Sequence, residues 1–364
     1  MKLVIATPLY PPEIGGPATY VKLLEEGLPK RGIGVSVVKF GEVRYLPKLI
    51  RHYVYYRRVL AAARGADAVL ALDPVSVGLP AMKAAQKAGK PFVVKVVGDY
   101  AWEQGTQRFG VKQNLDEFVR TPQKSFFVRR MQRVQTLVAQ SAAQVIVPSE
   151  YLKGIVTAWG ISSQKIQVIY NAVSIDSIGT VPEAMNKLPR PLVVSVGRLV
   201  PWKGMDRLID GMWAARRKGS NASLVIVGSG PLKTELERKA RFLLKDNYWF
   251  AGELSHIDTL AAIKDADIFV LNSSYEGLSH VLIEALKLGT CILTTNAGGN
   301  DEIVVRGTGI TIKVGDEARF ASSLRILIEH QEERSRLSSA AKQSGQRFSL
   351  ETMLSATVTA LQNI

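Results

Sequence analysis

An α/β fold built from two doubly wound, Rossmann-like domains is predicted by three observations on the 364-residue chain. Short runs rich in Val, Ile and Leu alternate with longer stretches of helical periodicity, and the alternation restarts once, near residue 192. The length is about twice that of a usual single domain. Short apolar runs separated by helices are the mark of βαβ units and parallel sheets, whose strands are covered on both faces.

In the first half the strand runs are residues 3–6, 34–38, 68–72, 92–97 and 145–147, with amphipathic stretches such as 20–30 between them. In the second half they are 192–196, 223–227, 248–250, 268–271 and 291–294. Residues 174–191 interrupt the pattern with Gly179, Pro182, Pro189 and Pro191. The predicted division is therefore a first domain over 1–173, a linker over 174–191 and a second domain over 192–349. Open parallel sheets hold ligands beyond the carboxyl ends of their strands. The loops that follow strands should carry the chemistry, around a central cleft faced by both halves.

Composition narrows the class. With 46% hydrophobic and 22% charged residues the chain reads as globular rather than disordered or fibrous. Cys291 is the single cysteine, which excludes an internal disulfide and a cysteine-rich metal site and fits a reducing compartment. The opening run from Met1 to Thr7 meets Pro8 too soon for a signal peptide, and no uninterrupted apolar stretch is long enough to span a bilayer. A cytoplasmic protein is expected. Net charge is +15, and it is unevenly spread: residues 1–190 hold 26 basic and 13 acidic side chains, residues 191–364 hold 21 and 19. Such asymmetry points to a polyanionic partner for the first half.

The most informative stretch runs from Asp267 to Gly289 and reads as strand, loop, helix, with Gly289 ending the helix. Glu276 stands in the loop. Eight residues on, Glu284 lies among Val281, Leu282, Ile283, Ala285, Leu286 and Leu288, on a helix apolar nearly all round. A carboxylate in such a setting needs hydrogen-bond donors, which ligand hydroxyls can supply. Between the two, the backbone N–H groups of Gly277, Leu278, Ser279 and His280 should form a helix N-terminus fit for phosphate. His280 is equally suited to touch a bound phosphate or to pack at the helix start. Arg198 and Lys203 follow a strand, so both cations can reach a ligand held there. Gly15 and Gly16 let backbone approach a ligand closely.

Rival motifs are weaker. Asp265-Ala266-Asp267 has a metal-binding spacing but precedes a strand, away from the ligand end. Gly228-Ser229-Gly230 lacks the third glycine of a dinucleotide fingerprint, since Lys233 stands there. His52, His256, His280 and His330 show no metal-ligand spacing. No bound metal and no cofactor are expected.

These motifs together resemble the retaining glycosyltransferases of family 4 (GT4), which have the GT-B fold. The resemblance covers essentially the whole chain. Glu276 and Glu284 match the family's Glu, seven residues, Glu pattern, with the usual glycine after the first. Thr7-Pro8-Leu9-Tyr10-Pro11-Pro12-Glu13-Ile14-Gly15-Gly16 matches its opening loop, and Val196-Gly197-Arg198-Leu199-Val200-Pro201-Trp202-Lys203-Gly204 its second-domain opening. Ile169-Tyr170-Asn171-Ala172-Val173, the run from Val225 to Pro231, and Gly298-Gly299 with Glu302 also match.

The resemblance implies a nucleotide-diphosphate sugar donor, a UDP- or GDP-sugar first. By it, Arg198 and Lys203 bind the diphosphate, Glu276 contacts the transferred sugar, Glu284 holds the ribose, and Gly15 and Gly16 close over phosphates and sugar. Gly277, Leu278 and Ser279 belong to the donor site, and Gly252 and Leu254 line the base. One departure stands out: where the family often has His-Asp after the fourth strand, this chain has Gly98-Asp99. Asp99 is then the remaining polar candidate for catalysis there, with capping of the next segment as the plain alternative. The helix over 350–364 resembles the family's terminal element that crosses back to the first domain. A metal-independent route is implied, in which the departing phosphate takes the acceptor proton on the same face.

The basic half suggests the acceptor. In 47–64, Leu49, Tyr53, Tyr56, Leu60 and Ala63 recur at helical spacing beside Lys48, Arg51 and Arg58; in 120–138, Phe127, Met131, Val134 and Val138 form a stripe beside Lys124, Arg129, Arg130 and Arg133. Neither segment contains an acid. Cationic amphipathic helices of this kind lie on anionic bilayers, and no nucleic-acid module is present. The expectation is transfer to a lipid-linked or cell-envelope glycan acceptor by a peripheral protein on the inner face of the cytoplasmic membrane, as in polysaccharide biosynthesis. The alternatives are a soluble transferase with a small-molecule acceptor, a phosphorylase or hydrolase on the same fold, and a non-catalytic nucleotide-sugar-binding subunit.

Overall fold

The computed structural model describes residues 1–13 and 15–364; Ile14 of the opening loop and the side chain of Leu49 lie outside the described residues. The chain divides into two compact units, Met1–Asn171 with Leu350–Ile364, and Ala172–Ser349. The expected linker over 174–191 is not a free connection. It belongs to the second unit, where it forms the short helix Glu183–Asn186 and buries Met185 in one core cluster with Val173 and Leu192.

Each unit is built on one six-stranded parallel sheet among the described residues. In the first unit the strands are β1 (Lys2–Thr7), β2 (Gly34–Lys39), β3 (Ala68–Ala71), β4 (Phe92–Lys95), β5 (Gln144–Val147) and β6 (Ile166–Val168), in the order β2-β1-β3-β4-β5-β6. In the second they are β7 (Leu192–Val196), β8 (Ser223–Val227), β9 (Tyr248–Gly252), β10 (Ile268–Leu271), β11 (Ile292–Thr295) and β12 (Ile310–Ile312), in the order β12-β11-β10-β7-β8-β9. Strands β3, β4, β7, β8, β10 and β11 are buried along their whole length, which is why they read as continuous apolar runs. The edge strands β6 and β12 were not predicted. Each has three residues with a polar one at the centre, Ile-Gln-Val and Ile-Thr-Ile, too short to carry a signal.

Strand order fixes where ligands can sit. Chain progression reverses between β1 and β3 in the first sheet and between β7 and β10 in the second, and the crevice at such a reversal is the ligand position of open α/β sheets. Two apolar clusters cover the two faces of the second sheet, one with Met205, Leu208 and Phe320, the other with Leu282, Ile283 and Phe348.

The apolar stripes of the basic helices are split between core and solvent. In Lys48–Ala63 the buried residues are Tyr55, Val59, Leu60 and Ala63, and Tyr53 is 60% exposed. Tyr55 takes the inward place because its hydroxyl donates to the carbonyl of Val38 at 2.8 Å. In Phe126–Ser141 the inward residues are Val128, Gln135, Val138 and Ala139, while Phe127 faces water. No described helix is long and apolar enough to cross a membrane. The helix Leu350–Gln362 packs on the helix Gly16–Gly27 so closely that a Cβ at Gly27 would lie 2.3 Å from Leu354.

Candidate functional site

The loops after β7 and β10 flank the reversal point of the second sheet, and they are laced together. After β7 the chain makes the turn Pro201–Lys203 and stops at Gly204 with φ of 63°. A Cβ there would lie 2.1 Å from the carbonyl oxygen of Asn272, so only glycine permits the approach. The amide of Asn272 donates to the Gly204 carbonyl at 3.3 Å, and the Ser274 N–H donates to the Trp202 carbonyl at 2.7 Å. This lacing brings Lys203 to Glu276: the ammonium donates to Oε1 of the carboxylate at 2.5 Å, with side chains only 17% and 11% exposed. Ser273, fully buried, donates to the same oxygen at 2.6 Å. A half-buried ammonium held by one carboxylate can be handed to an anionic ligand at modest cost, because part of its desolvation is already met.

The helix that follows is His280–Leu288, so Gly277, Leu278 and Ser279 precede it rather than open it. Ser279 occupies the cap position without a side-chain hydrogen bond, and no acid stands in the first turn. The positive end of the helix dipole is thus not cancelled locally. Glu284 is 6% exposed, and its partner is a residue the sequence did not single out: Nε2 of His256 lies 2.9 Å from Oε1. His256 is the first residue of the helix His256–Asp265, set by the cap of Ser255 on Asp258 N–H. Its hydrogen bond to Glu284 raises the imidazole pKa above the ordinary value, against partial burial. His280 had been the histidine expected near the site; no spacing rule could have chosen His256 over it.

The remaining second-unit candidates divide between the carboxyl and the amino ends of the strands. Arg198 is exposed and makes no ion pair among the described residues. The Gly252 carbonyl accepts the Gly228 N–H at 2.7 Å, joining the ends of β9 and β8, and Leu254 packs against the core. Gly228, with φ of 132°, approaches the Gly197 carbonyl so closely that a Cβ would stand 2.1 Å from it. Those glycines serve loop packing, which accounts for the incomplete dinucleotide fingerprint. Asp265 and Asp267 both bind Arg190, at 2.6 and 2.9 Å, and Asp267 also accepts the Leu192 N–H. Among the described residues no group of three or more His, Cys, Asp or Glu is arranged to hold a metal.

In the first unit, Gly15 and Gly16 open the helix after β1, beside the reversal point of that sheet. Asp99 lies one strand away, after β4, and makes the contacts of the capping alternative. It is fully buried and caps the helix Tyr100–Arg108 by accepting the Trp102 N–H at 2.8 Å. Gln135 and the Trp159 indole donate to its other oxygen, both at 3.0 Å. Burial raises its pKa against these donors. The carboxylate is consumed in tying three elements together.

Comparison with known proteins places this geometry. The family model described as Glycosyl transferases group 1 matches residues 181–344, and that described as Glycosyl transferase 4-like domain matches residues 29–172. An uncharacterized glycosyltransferase of Methanocaldococcus jannaschii is 27% identical over 202 residues, 53% of this chain and 51% of that protein. A GDP-mannose-dependent monoacylated alpha-(1-6)-phosphatidylinositol monomannoside mannosyltransferase of Corynebacterium glutamicum is 30% identical over 42% of each chain. The chain spans about half the length of these curated relatives. Among solved structures, Anabaena HepE in complex with UDP-glucose superposes with a TM-score of 0.78 at 21% identity over the whole of both chains. With two parallel Rossmann-like sheets and both halves matched, the chain belongs to the GT-B glycosyltransferases, as a member of the group 1 family with a 4-like first domain.

Proposed function

We propose that the chain is a retaining, metal-independent transferase of the hexosyltransferase type, moving a sugar from a UDP- or GDP-sugar to a lipid-linked or cell-envelope glycan acceptor at an anionic membrane surface. The observation that carries this reading is the Lys203–Glu276 pair at the sheet's reversal point, next to a helix start without an acid. A donor diphosphate would take Lys203, with Arg198 and the first N–H groups after Ser279 sharing its charge as it departs. Glu276, released from the cation, would steady the sugar as positive charge develops, and Glu284 would accept ribose hydroxyls beside His256. Gly252 and Leu254 would border the base. In the first unit, Gly15 and Gly16 would close over the donor.

A nucleotide-sugar donor is supported by the UDP-glucose complex of Anabaena HepE and by the GDP-mannose dependence in the name of the corynebacterial relative. The monoacylated phosphatidylinositol monomannoside in that relative's name and the basic first half support a lipid-linked acceptor at a cytoplasmic membrane face.

The test is a thermal-shift screen of UDP-, GDP- and ADP-sugars in chelator, followed by incubation of the stabilising donor, radiolabelled, with membrane lipid extract. Label in the organic phase with the donor's anomeric configuration is expected. Label confined to water-soluble products would replace the lipid acceptor by a small one. Donor binding without turnover, or strict need for a divalent metal, would overturn the proposal.

A further inference from the structure

The first unit carries an exposed aromatic cluster that donor chemistry leaves unused. Phe126 and Phe127, the first residues of the helix Phe126–Ser141, are 61% and 59% exposed, and Phe109, just past the helix Tyr100–Arg108, is 40% exposed. Phe109 stacks on Phe127 with ring centroids 5.5 Å apart and planes at 19°, and Phe126 meets Phe127 edge-on at 5.8 Å. Three rings that touch one another yet face water make a contiguous apolar patch, the kind that marks an interaction surface. The rings are held outward, because Val128, the next residue, is fully buried and Ser125 caps the helix start.

The charge around them has one sign. Residues 104–149 hold seven Lys and Arg against two acids, Asp116 and Glu117. Arg108, Lys112, Lys124, Arg129 and Arg130 stand nearest in the chain; all are exposed and none forms an ion pair among the described residues. A second copy of the chain would have to bring these cations against themselves, whereas an anionic bilayer complements them.

Position completes the picture. Gln135, on the same helix, reaches Asp99 just past the carboxyl end of β4. Phe127 lies eight residues nearer the helix start, about 12 Å farther along the axis. Because the helix runs back toward the beginning of β5, the rings stand beyond the carboxyl ends of the strands, the side on which a parallel sheet holds its ligand.

We propose that Phe109, Phe126 and Phe127 form the wedge by which the first unit enters an anionic bilayer, with the rings at the headgroup–acyl boundary and the surrounding cations at the level of the phosphates. This rests on the membrane part of the function proposed above and assigns it a place.

The protein allows a direct test. Cys291 is fully buried, and burial pushes its thiol up to about 12, so a cysteine at 126 is the one that labels. Full-length F126C carrying a nitrobenzoxadiazole group is titrated with phosphatidylcholine vesicles with and without phosphatidylglycerol. Emission should shift to the blue and brighten with the anionic vesicles alone. F126S/F127S should partition onto them about tenfold less, or weaker still, with melting temperature and donor-induced stabilisation unchanged. Vesicle binding with an unshifted label, or undiminished in F126S/F127S, overturns the wedge and leaves peripheral binding standing. Absence of vesicle binding by the unaltered protein overturns both, while donor binding still reports separately on the transferase reading. A dimer in sedimentation that F126S/F127S abolishes would assign the rings to a second copy instead.

Discussion

The ammonium of Lys203 and the carboxylate of Glu276 meet at 2.5 Å on loops whose strands, β7 and β10, are neighbours in the sheet. Ser273 shares the same carboxylate oxygen. On the proposed function, a donor phosphate would compete with Glu276 for this cation. Glu276→Gln keeps an oxygen for Ser273 and Lys203 to donate to, so the melting temperature should stay nearly constant. Turnover should fall about 100- to 1,000-fold if the charge acts on the reacting sugar. Lys203→Ala should weaken donor binding about tenfold or more, read by calorimetry. Normal turnover in both variants would remove the pair from the mechanism.

Through His256 the second unit's stability should depend on pH. Glu284 raises the folded pKa of the imidazole above its ordinary 6.5. The contribution is complete below 6.5 and is lost as pH rises through the raised folded value. The ring is 57% exposed, so the effect should stay below about 1 kcal/mol. Melting temperatures of His256→Gln should be flat across that window, where those of the unaltered protein decline; parallel profiles would deny the coupling.

Lys95 carries an opposite dependence. It is 1% exposed in β4, its Nζ lies 3.7 Å from the ring centre of Tyr20, and it has no hydrogen-bond partner among the described residues. Burial pulls its pKa from 10.5 down to about 7. Between those values the unfolded chain holds more protons than the folded one, so stability rises with pH through the window, and the full cost stands below 7. Lys95→Met should stabilise the first unit by an amount of the order of a few kcal/mol near neutral pH and abolish the slope in urea unfolding. A loss of stability in this variant would show that the ammonium is satisfied in the fold.

Asp99→Ala should behave as a structural lesion. It strands the Trp102 N–H, the Gln135 amide and the Trp159 indole in a buried place. Stability should fall by roughly 2–4 kcal/mol, with donor affinity per folded molecule retained. A variant that melts like the parent but loses transfer would assign Asp99 to catalysis instead.

Much of the architecture was legible because a doubly covered parallel sheet writes itself as apolar runs, and β7, β8 and β10 fall where those runs predict. Helix facing was less legible. Tyr53 and Tyr55 are the same residue type two positions apart, and only a carbonyl on β2 decides which turns inward. The site divides in the same way. Glu276 and Lys203 stood out by motif, but the partners that set their state, Ser273 for the carboxylate and His256 for Glu284, come from folded proximity. The partners of Asp99, Gln135 and Trp159, lie 36 and 60 residues away and carry no pattern.

The packing of Leu354 onto Gly27, with Arg31 paired to Glu351, makes the first unit depend on the last helix. During synthesis the residues from Met1 to Asn171 leave the ribosome first, yet the surface that covers Gly27 arrives only after the whole second unit has been made. At common elongation rates that interval is roughly 10–35 s. The second unit can close on its own residues within that time, while the earlier-made unit waits with an apolar face open. The order of completion thus reverses the order of translation, and chaperone capture or proteolytic nicking of the nascent chain should fall on its older half.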